Sequence, residues 1–340
     1  MYKRQLLPRL MHRWYGDASL VGLHYEGMRR YLDYLGTRTQ DDILATGLGD
    51  WNGYGADPRT PVALTDTAYY HLLAETLAGF ARTLGHEQDA ADLEALAERI
   101  GDAFNREFLD PATGTYASGS QSCQATALDL GLVPDDLRGA AFERLLEDVA
   151  AQDFAVSCGE VGHPSLLRTL AANGRSDLVY RIHHQSDRPG YAWQLERGAT
   201  TLTEAWDASP ISHNHFMLGH ILEWLHTDLV GLRPDPAAPG FERFFVRPRP
   251  VDTVTWARTT YRSIRGPIEV AWRREDGVFE LEVEVPPNTT AEVHVPAQDP
   301  GRVLEGNEPA RQAAGVRLLR SEAGAAVFAV GSGRYRFTAP

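Results

Sequence analysis

The sequence predicts a mostly α-helical array of paired helices followed by an antiparallel β-sandwich. Three observations carry that prediction. From Leu7 to about Leu232, apolar residues recur at helical spacing in segments joined by short turns. At Arg233 a proline-rich stretch, RPDPAAPG, interrupts the pattern. Beyond it, apolar and polar residues alternate in short runs rich in Val, Thr and Phe, with turn residues between them. Helices that follow one another in pairs form a helical-hairpin array, not a βαβ sheet. The expected domains are residues 1–232 and 233–340.

The elements follow in order. In LMHRWYGDASLVGLHYEGMRRYLDYLG, Leu20, Leu23, Met28, Tyr31, Leu32 and Leu35 share one face, and Gly36 can end the helix. A second helix opens after Pro61 and closes at Gly85. A third, EQDAADLEALAERIGDAFNREFLD, returns from it through a Gly-His turn. Further helices are expected at 122–130, 137–149, 164–172 and 176–184. The last is expected at 214–229, capped by Ser212, with Phe216, Met217, Leu218, Ile221, Leu222 and Leu225 in the core. Seven strands are expected in FERFFVRP, TVTWARTTY, GPIEVAWRR, FELEVEVP, TAEVHVP, AAVFAV and GRYRFTAP. This second domain shows no clustered His, Cys or carboxylates in the sequence and is expected to be structural.

Composition narrows the function. The chain has 340 residues, 43% hydrophobic, with a net charge of −13. That balance argues against nucleic acid and anionic membranes, which are bound through basic patches. No apolar run approaches a membrane span and no signal peptide is visible, which leans towards a cytoplasmic location. Cys123 and Cys158 lie outside any CxxC motif and read as buried free thiols. Lys3 is the only lysine, and MYKRQ resembles a non-native leader, so the natural N-terminus is expected to lie elsewhere.

Chemistry concentrates in loops. GATTLTEAW, residues 198–206, sets Glu204 among small and hydroxyl residues near Trp206 and Trp193. A carboxylate walled by indoles suits general acid or base work; a surface Glu near a helix start is the plain alternative. SHNHFMLGH follows, and an HxH pair with an acid invites a zinc site. Without HExxH or a Cys cluster, the imidazoles read instead as sugar-hydroxyl partners or core residues. GLGDWNGYG, residues 47–55, surrounds Asp50, Trp51 and Tyr54 with four glycines, so backbone can approach a ligand beside a stacking face. It lacks the lysine of a phosphate loop. SCGEVGHPS adds Glu160 and His163 as weaker candidates. Loops with carboxylates, Trp and His at one end of a helical array, with no cofactor motif, suit an (α/α)-barrel glycosidase.

GLGDW, the Y-x-W-x-L-x-x-GATTL-x-E-x-W run, S-x-NHFMLG and P-x-NTTAEVHVP, in that order, resemble the bacterial α-L-rhamnosidases of glycoside hydrolase family 78. The resemblance runs from about Leu7 to the end. It implies an (α/α)6 six-hairpin barrel, incomplete at its N-terminus, followed by a β-sandwich. It implies inverting hydrolysis of terminal α-L-rhamnosides, with Glu204 as general base and no cofactor or metal. It also implies a rhamnose subsite contacted by Asp50, Trp51, Trp206 and His215. The partner is then a rhamnose-containing glycoside. Nothing matches the family's Asp/Arg/Glu-rich general-acid motif, so the acid and the first hairpins are expected to lie outside this chain. An α-fucosidase or glucosidase of the same fold, and a non-catalytic sugar-binding protein, are the alternatives.

Overall fold

The computed structural model describes residues 3–51, 53, 60–207, 212–251 and 253–340. They form two compact units. One holds the chain up to Leu7 with Val21–Ile221, and the other holds Pro8–Leu20 with Leu222–Pro340. Residues 8–20 therefore group with the sheets, although they lie far from them in sequence.

The helices are α1 (Lys3–Tyr15), α2 (Ser19–Gly36), α3 (Val62–Thr83), α4 (Glu87–Phe108), α5 (Gln121–Asp129), α6 (Arg138–Ala151), α7 (Gly162–Ala172), α8 (Ser176–His184) and α9 (Tyr191–Glu196). The expected first helix is two. Gly16, at φ +69°, ends α1, and Asp17 Oδ1 accepts from Ser19 N at 2.8 Å to start α2. The buried stripe of α2 then runs Val21, Tyr25, Met28, Leu32 and Leu35, at alternating steps of four and three, and leaves Leu23 exposed.

That stripe packs on α3 and α4, which form an antiparallel hairpin with Leu73, Leu77, Leu93 and Ile100 in a common core. Gly85, at φ +77°, makes the turn, and His86 N donates back to Ala81 O at 2.8 Å. α3 is buried on most of its surface and carries Thr65, Asp66, Thr67 and His71 inside. α5 is buried from Gln121 to Leu128 between α6 and α7. Its polar groups are bonded: Gln124 Nε2 donates to the carbonyls of Gly114 and Ala141, each at 3.0 Å. Cys123 and Cys158 are buried and not joined by a disulfide.

The expected helix at 214–229 does not form as one element. A 3₁₀ turn covers Phe216–Leu218, a short helix, α10, covers Ile221–Trp224, and a π turn covers Leu225–Leu229. Ser212 and His215 pair with Glu204 and Leu202, so Ser212 caps nothing helical. Among the residues expected in the core, Leu218 is buried, but Phe216 is 69% and Leu222 58% exposed. The stretch FMLGHILEWL is apolar on every side, so periodicity could not choose its inward face.

In the second unit, strands pair as two sheets. The first is ordered β13 (Val316–Glu322), β14 (Ala325–Val330), β10 (Thr290–Pro296), β6 (Arg243–Val246) and β5 (Leu232–Pro234). The second is ordered β12 (Glu308–Pro309), β11 (Leu304–Glu305), β15 (Gly333–Ala339), β9 (Val278–Val285), β8 (Gly266–Glu275) and β7 (Trp256–Ser263). All pairs are antiparallel except β10 with β6, which is parallel. Between the sheets Phe328 and Phe337 stack with ring centroids 5.4 Å apart. Shorter two-residue pairs, β1 (Thr39–Gln40) with β2 (Ile43–Leu44) and β3 (Leu109–Asp110) with β4 (Thr115–Tyr116), lie in the helical unit.

Two sequence expectations change here. RPDPAAPG is no free linker: β5 pairs with β6, and buried Asp235 accepts from Ala237 N and pairs with Arg243. The sheets also hold a charged cluster. Buried His294 stands 2.9 Å from Glu292 and 3.6 Å from Glu322, and Arg320 pairs with both acids. The Glu292–His294 pair on β10 and the Arg320–Glu322 pair on β13 are distant in sequence and meet only across the sheet. No described helix is long and apolar enough to cross a membrane.

Candidate active site

The site is assembled by three chain segments of the helical unit. The first is the loop before α3. Asp66, inside α3, accepts from Thr46 N at 3.0 Å and from Gly47 N. Burial pushes the Asp66 carboxyl up, and the amides of Gly47, Thr46 and Gly49 hold it back. Gly47 has no room for a side chain, since a Cβ there would lie 2.5 Å from Asp66 Oδ1.

Asp50 follows, and its carboxylate grips the second segment. It accepts from Gly159 N at 2.8 Å, Val161 N at 3.0 Å, Gly162 N at 2.8 Å and the Ser122 hydroxyl. Trp51 O accepts from Glu160 N at 2.8 Å. Four consecutive amides, 159–162, are thus bound by two residues of the GDW loop. The approach is close: a Cβ on Gly159 would stand 2.1 Å from Trp51 O. Asp50 acts here as a clamp on the 157–162 loop. Trp51 is 49% exposed. Tyr54 lies outside the described residues.

The third segment is GATTLTEAW with SHNHF. Glu204 N donates to Ser212 O at 2.8 Å, and His215 N donates to Leu202 O at 2.9 Å. The Thr201 hydroxyl donates to His213 O. Two extended stretches therefore run side by side, which brings Glu204 to His215. His213 contributes its carbonyl to that pairing and lies exposed.

Glu160, Glu204 and His215 converge. His215 Nε2 is 3.3 Å from Glu160 Oε1, and His215 Nδ1 is 3.9 Å from Glu204 Oε2. One donor atom from each residue lies within 4.8 Å of the other two. Two oxygens and a nitrogen so placed could ligate a divalent cation, and they are equally the acceptors and donors of proton-transfer chemistry. Glu160 is 7% exposed.

Trp206 is 2% exposed, so it offers no open face to a ligand. Its indole N–H donates to Cys158 O at 2.8 Å, which ties the Glu204 segment to the Glu160 segment from behind. It packs on His163 at 4.9 Å and Tyr191 at 5.4 Å between ring centroids. His163 belongs to this buried layer, with Nε2 3.2 Å from His183 Nε2. Burial holds the His163 ring well below the usual imidazole range, helped by His183 and His220, and pushes His183 down to about 3. Trp193 has its face covered by the Arg197 guanidinium, 3.0 Å from the ring centroid.

The structure brings Glu204 and His215, both singled out in the sequence, within 3.9 Å of each other. Glu160 stands closer to His215 than its weak signal implied, and Asp66 had no motif beyond an acid on an apolar helix.

The chain matches the family model of the bacterial alpha-L-rhamnosidase six-hairpin glycosidase domain over residues 4–229. It matches the bacterial alpha-L-rhamnosidase C-terminal domain over residues 231–309. An alpha-L-rhamnosidase of Streptomyces avermitilis is 36% identical over 98% of this chain and 32% of its own length. One of Formosa agariphila is 26% identical over 98% of this chain and 38% of its own length. Among solved structures, the Streptomyces avermitilis alpha-L-rhamnosidase complexed with L-rhamnose superposes with a TM-score of 0.91, at 34% identity, over 99% of this chain and 32% of that one. The alpha-L-rhamnosidase from Dictyoglumus thermophilum gives 0.89 at 31% identity, over 98% and 39%. The chain spans about a third of the length of the relatives it matches.

Proposed function

Because this chain belongs to the bacterial alpha-L-rhamnosidase family, we propose that it carries the general-base half of a site that hydrolyses terminal α-L-rhamnosides with inversion. The supporting observation is the convergence of Glu204 with His215 and Glu160, beside a loop that exposes Trp51. Glu204 removes a proton from water. The water oxygen bonds to the anomeric carbon as the glycosidic C–O bond breaks. The departing oxygen takes its proton from a general acid, and that acid comes from residues outside these 340. In an inverting site the two carboxyls stand about 6.5–9.5 Å apart, so that the water fits between them. His215 lies at the sugar subsite beside the attacking water, and the Trp51 ring stacks on the sugar. Asp50 and Trp206 serve the subsite by holding its walls. Residues 1–232 form a partial catalytic domain and 233–340 a structural one. This chemistry requires no metal or organic cofactor.

The test compares p-nitrophenyl α-L-rhamnoside hydrolysis by this chain, and by the longest product of its gene, with the Glu204→Gln variant of each. This chain alone turns over little. The longer product is active, and Glu204→Gln lowers its kcat by about 10²–10⁴-fold. Equal rates for parent and variant would remove Glu204 from the mechanism. Faster hydrolysis of a fucoside or glucoside in the same assay would reassign the substrate.

A further inference from the structure

We propose that Glu160 is a positioning residue: it holds the His215 ring as its Nε2–H tautomer and so makes Nδ1 an acceptor beside Glu204. The proposal rests on reading Glu204 as the base, and it adds a role for a carboxylate that reading does not use.

The geometry carries it. Glu160 Oε1 lies 3.3 Å from His215 Nε2. An ionised carboxylate only accepts, so the ring nitrogen facing it carries the hydrogen. A neutral imidazole has one N–H, which leaves Nδ1 with its lone pair. Nδ1 stands 3.9 Å from Glu204 Oε2. Two acceptors at that separation do not bond to each other, but one water can donate a hydrogen to each. In the proposed hydrolysis that water is the nucleophile. Glu204 takes one of its protons, and His215 holds the other O–H, so the oxygen lone pair faces the anomeric carbon. His215 neither gains nor loses a proton in the step.

Glu160 is built into place for this task. Its own N–H is bound by Trp51 O at 2.8 Å, and the amides on either side are bound by Asp50. Gly159 and Gly162 admit no side chain, because a Cβ on Gly162 would meet the Ser122 hydroxyl at 2.3 Å and one on Gly159 would meet Trp51 O at 2.1 Å. Burying a carboxylate is costly unless partners meet it. Here the side chain is buried and directed at a ring nitrogen. The GDW loop therefore acts on the chemistry at one remove: Asp50 and Trp51 set Glu160, Glu160 sets His215, and His215 helps to set the water.

The first measurement is on this chain with ¹⁵N-labelled histidine, reading the ring nitrogens of His215 by long-range ¹H–¹⁵N correlation at pH 8. The parent shows the Nε2–H tautomer. Glu160→Gln has the same size, but its amide can donate or accept, so the variant shows a tautomer mixture. An Nδ1–H ring in the parent, or an unchanged ring in the variant, would overturn the proposal. The second measurement is kinetic, on the longer gene product. Glu160→Gln lowers kcat at least about tenfold while KM stays within about twofold. A loss confined to KM would instead make Glu160 a binding-pocket residue and sink the positioning role. The ring readout needs no turnover, so inactivity towards rhamnosides would fail the proposed function without touching the tautomer result.

Discussion

Trp206 and Cys158 are joined by one hydrogen bond, indole N–H to carbonyl, at 2.8 Å. Trp206 lies two residues after Glu204, and Cys158 two before Glu160. The bond therefore ties together, from inside the protein, the two segments whose acids meet at His215. The exposed chemistry rests on a buried layer of Trp206, His163, His183 and Tyr191.

Trp206→Phe keeps most of the packing and removes that donor. Cys158 O then has lost a buried partner, which costs about 1–3 kcal/mol. The prediction is a lower urea midpoint for the helical unit with an unchanged slope. An unchanged midpoint would mean that the bond contributes nothing net.

Asp50→Ala leaves three backbone amides and the Ser122 hydroxyl without their acceptor. Water can replace part of this, so a loss of about 3 kcal/mol is expected. Hydrogen exchange reads it directly: the amides of Gly159, Val161 and Gly162 lose protection, while those of α4 keep theirs. If Asp50 were only a sugar ligand, protection would not change in the absence of sugar.

Two glycines give opposite predictions. Gly159→Ala puts a methyl 2.1 Å from a backbone oxygen, which must move, and overpacking of this kind costs about 1–3 kcal/mol. Gly27, in the middle of α2, has nothing within 4 Å of an added Cβ. Gly27→Ala should stabilise by about 0.5–1 kcal/mol, because alanine loses less backbone entropy in a helix. Melting temperatures of the two variants should move to opposite sides of the parent.

The buried histidines make the helical unit acid-sensitive. His163 and His183 are held below the free imidazole value near 6.5, His183 at about 3. As pH falls below about 6.5 the unfolded chain takes up protons that the folded chain refuses, so stability falls with pH through that window. Each such ring costs up to about 1.4 kcal/mol per pH unit, until its folded value is reached. Melting temperature should drop between pH 7 and pH 4.5, and His183→Phe should flatten the slope. A slope unchanged by that substitution would assign the acid sensitivity to other groups.

Much of the fold was legible in the sequence. Helices α3, α4 and α8 run within two residues of their predicted ends, because Pro61, Gly85 and the apolar periodicity are local signals. The seven expected strands form, because alternation in a half-buried sheet is also local. What failed was non-local. Val316–Glu322 joins the sheet on the strength of its pairing with β14, although most of its side chains are outside the core. The helix expected at 214–229 lost its first turn to pairing with residues 202–204.

The candidate site divides the same way. By itself the sequence determined which residues are candidates for chemistry: Glu204 in GATTLTEAW, His215 in SHNHF and Trp51 in GLGDW are marked by residue type and by neighbours a few positions away. Only the tertiary structure decided what each one does. Asp50 became a clamp because it meets amides more than a hundred residues on. Trp206 became a buried strut because Cys158 and His163 surround it. Glu160 joined His215 because two loops fold against one another. Residue type sets what a group can donate or accept, but its partner is set by which chain segments close around it, and that information is spread along the whole chain.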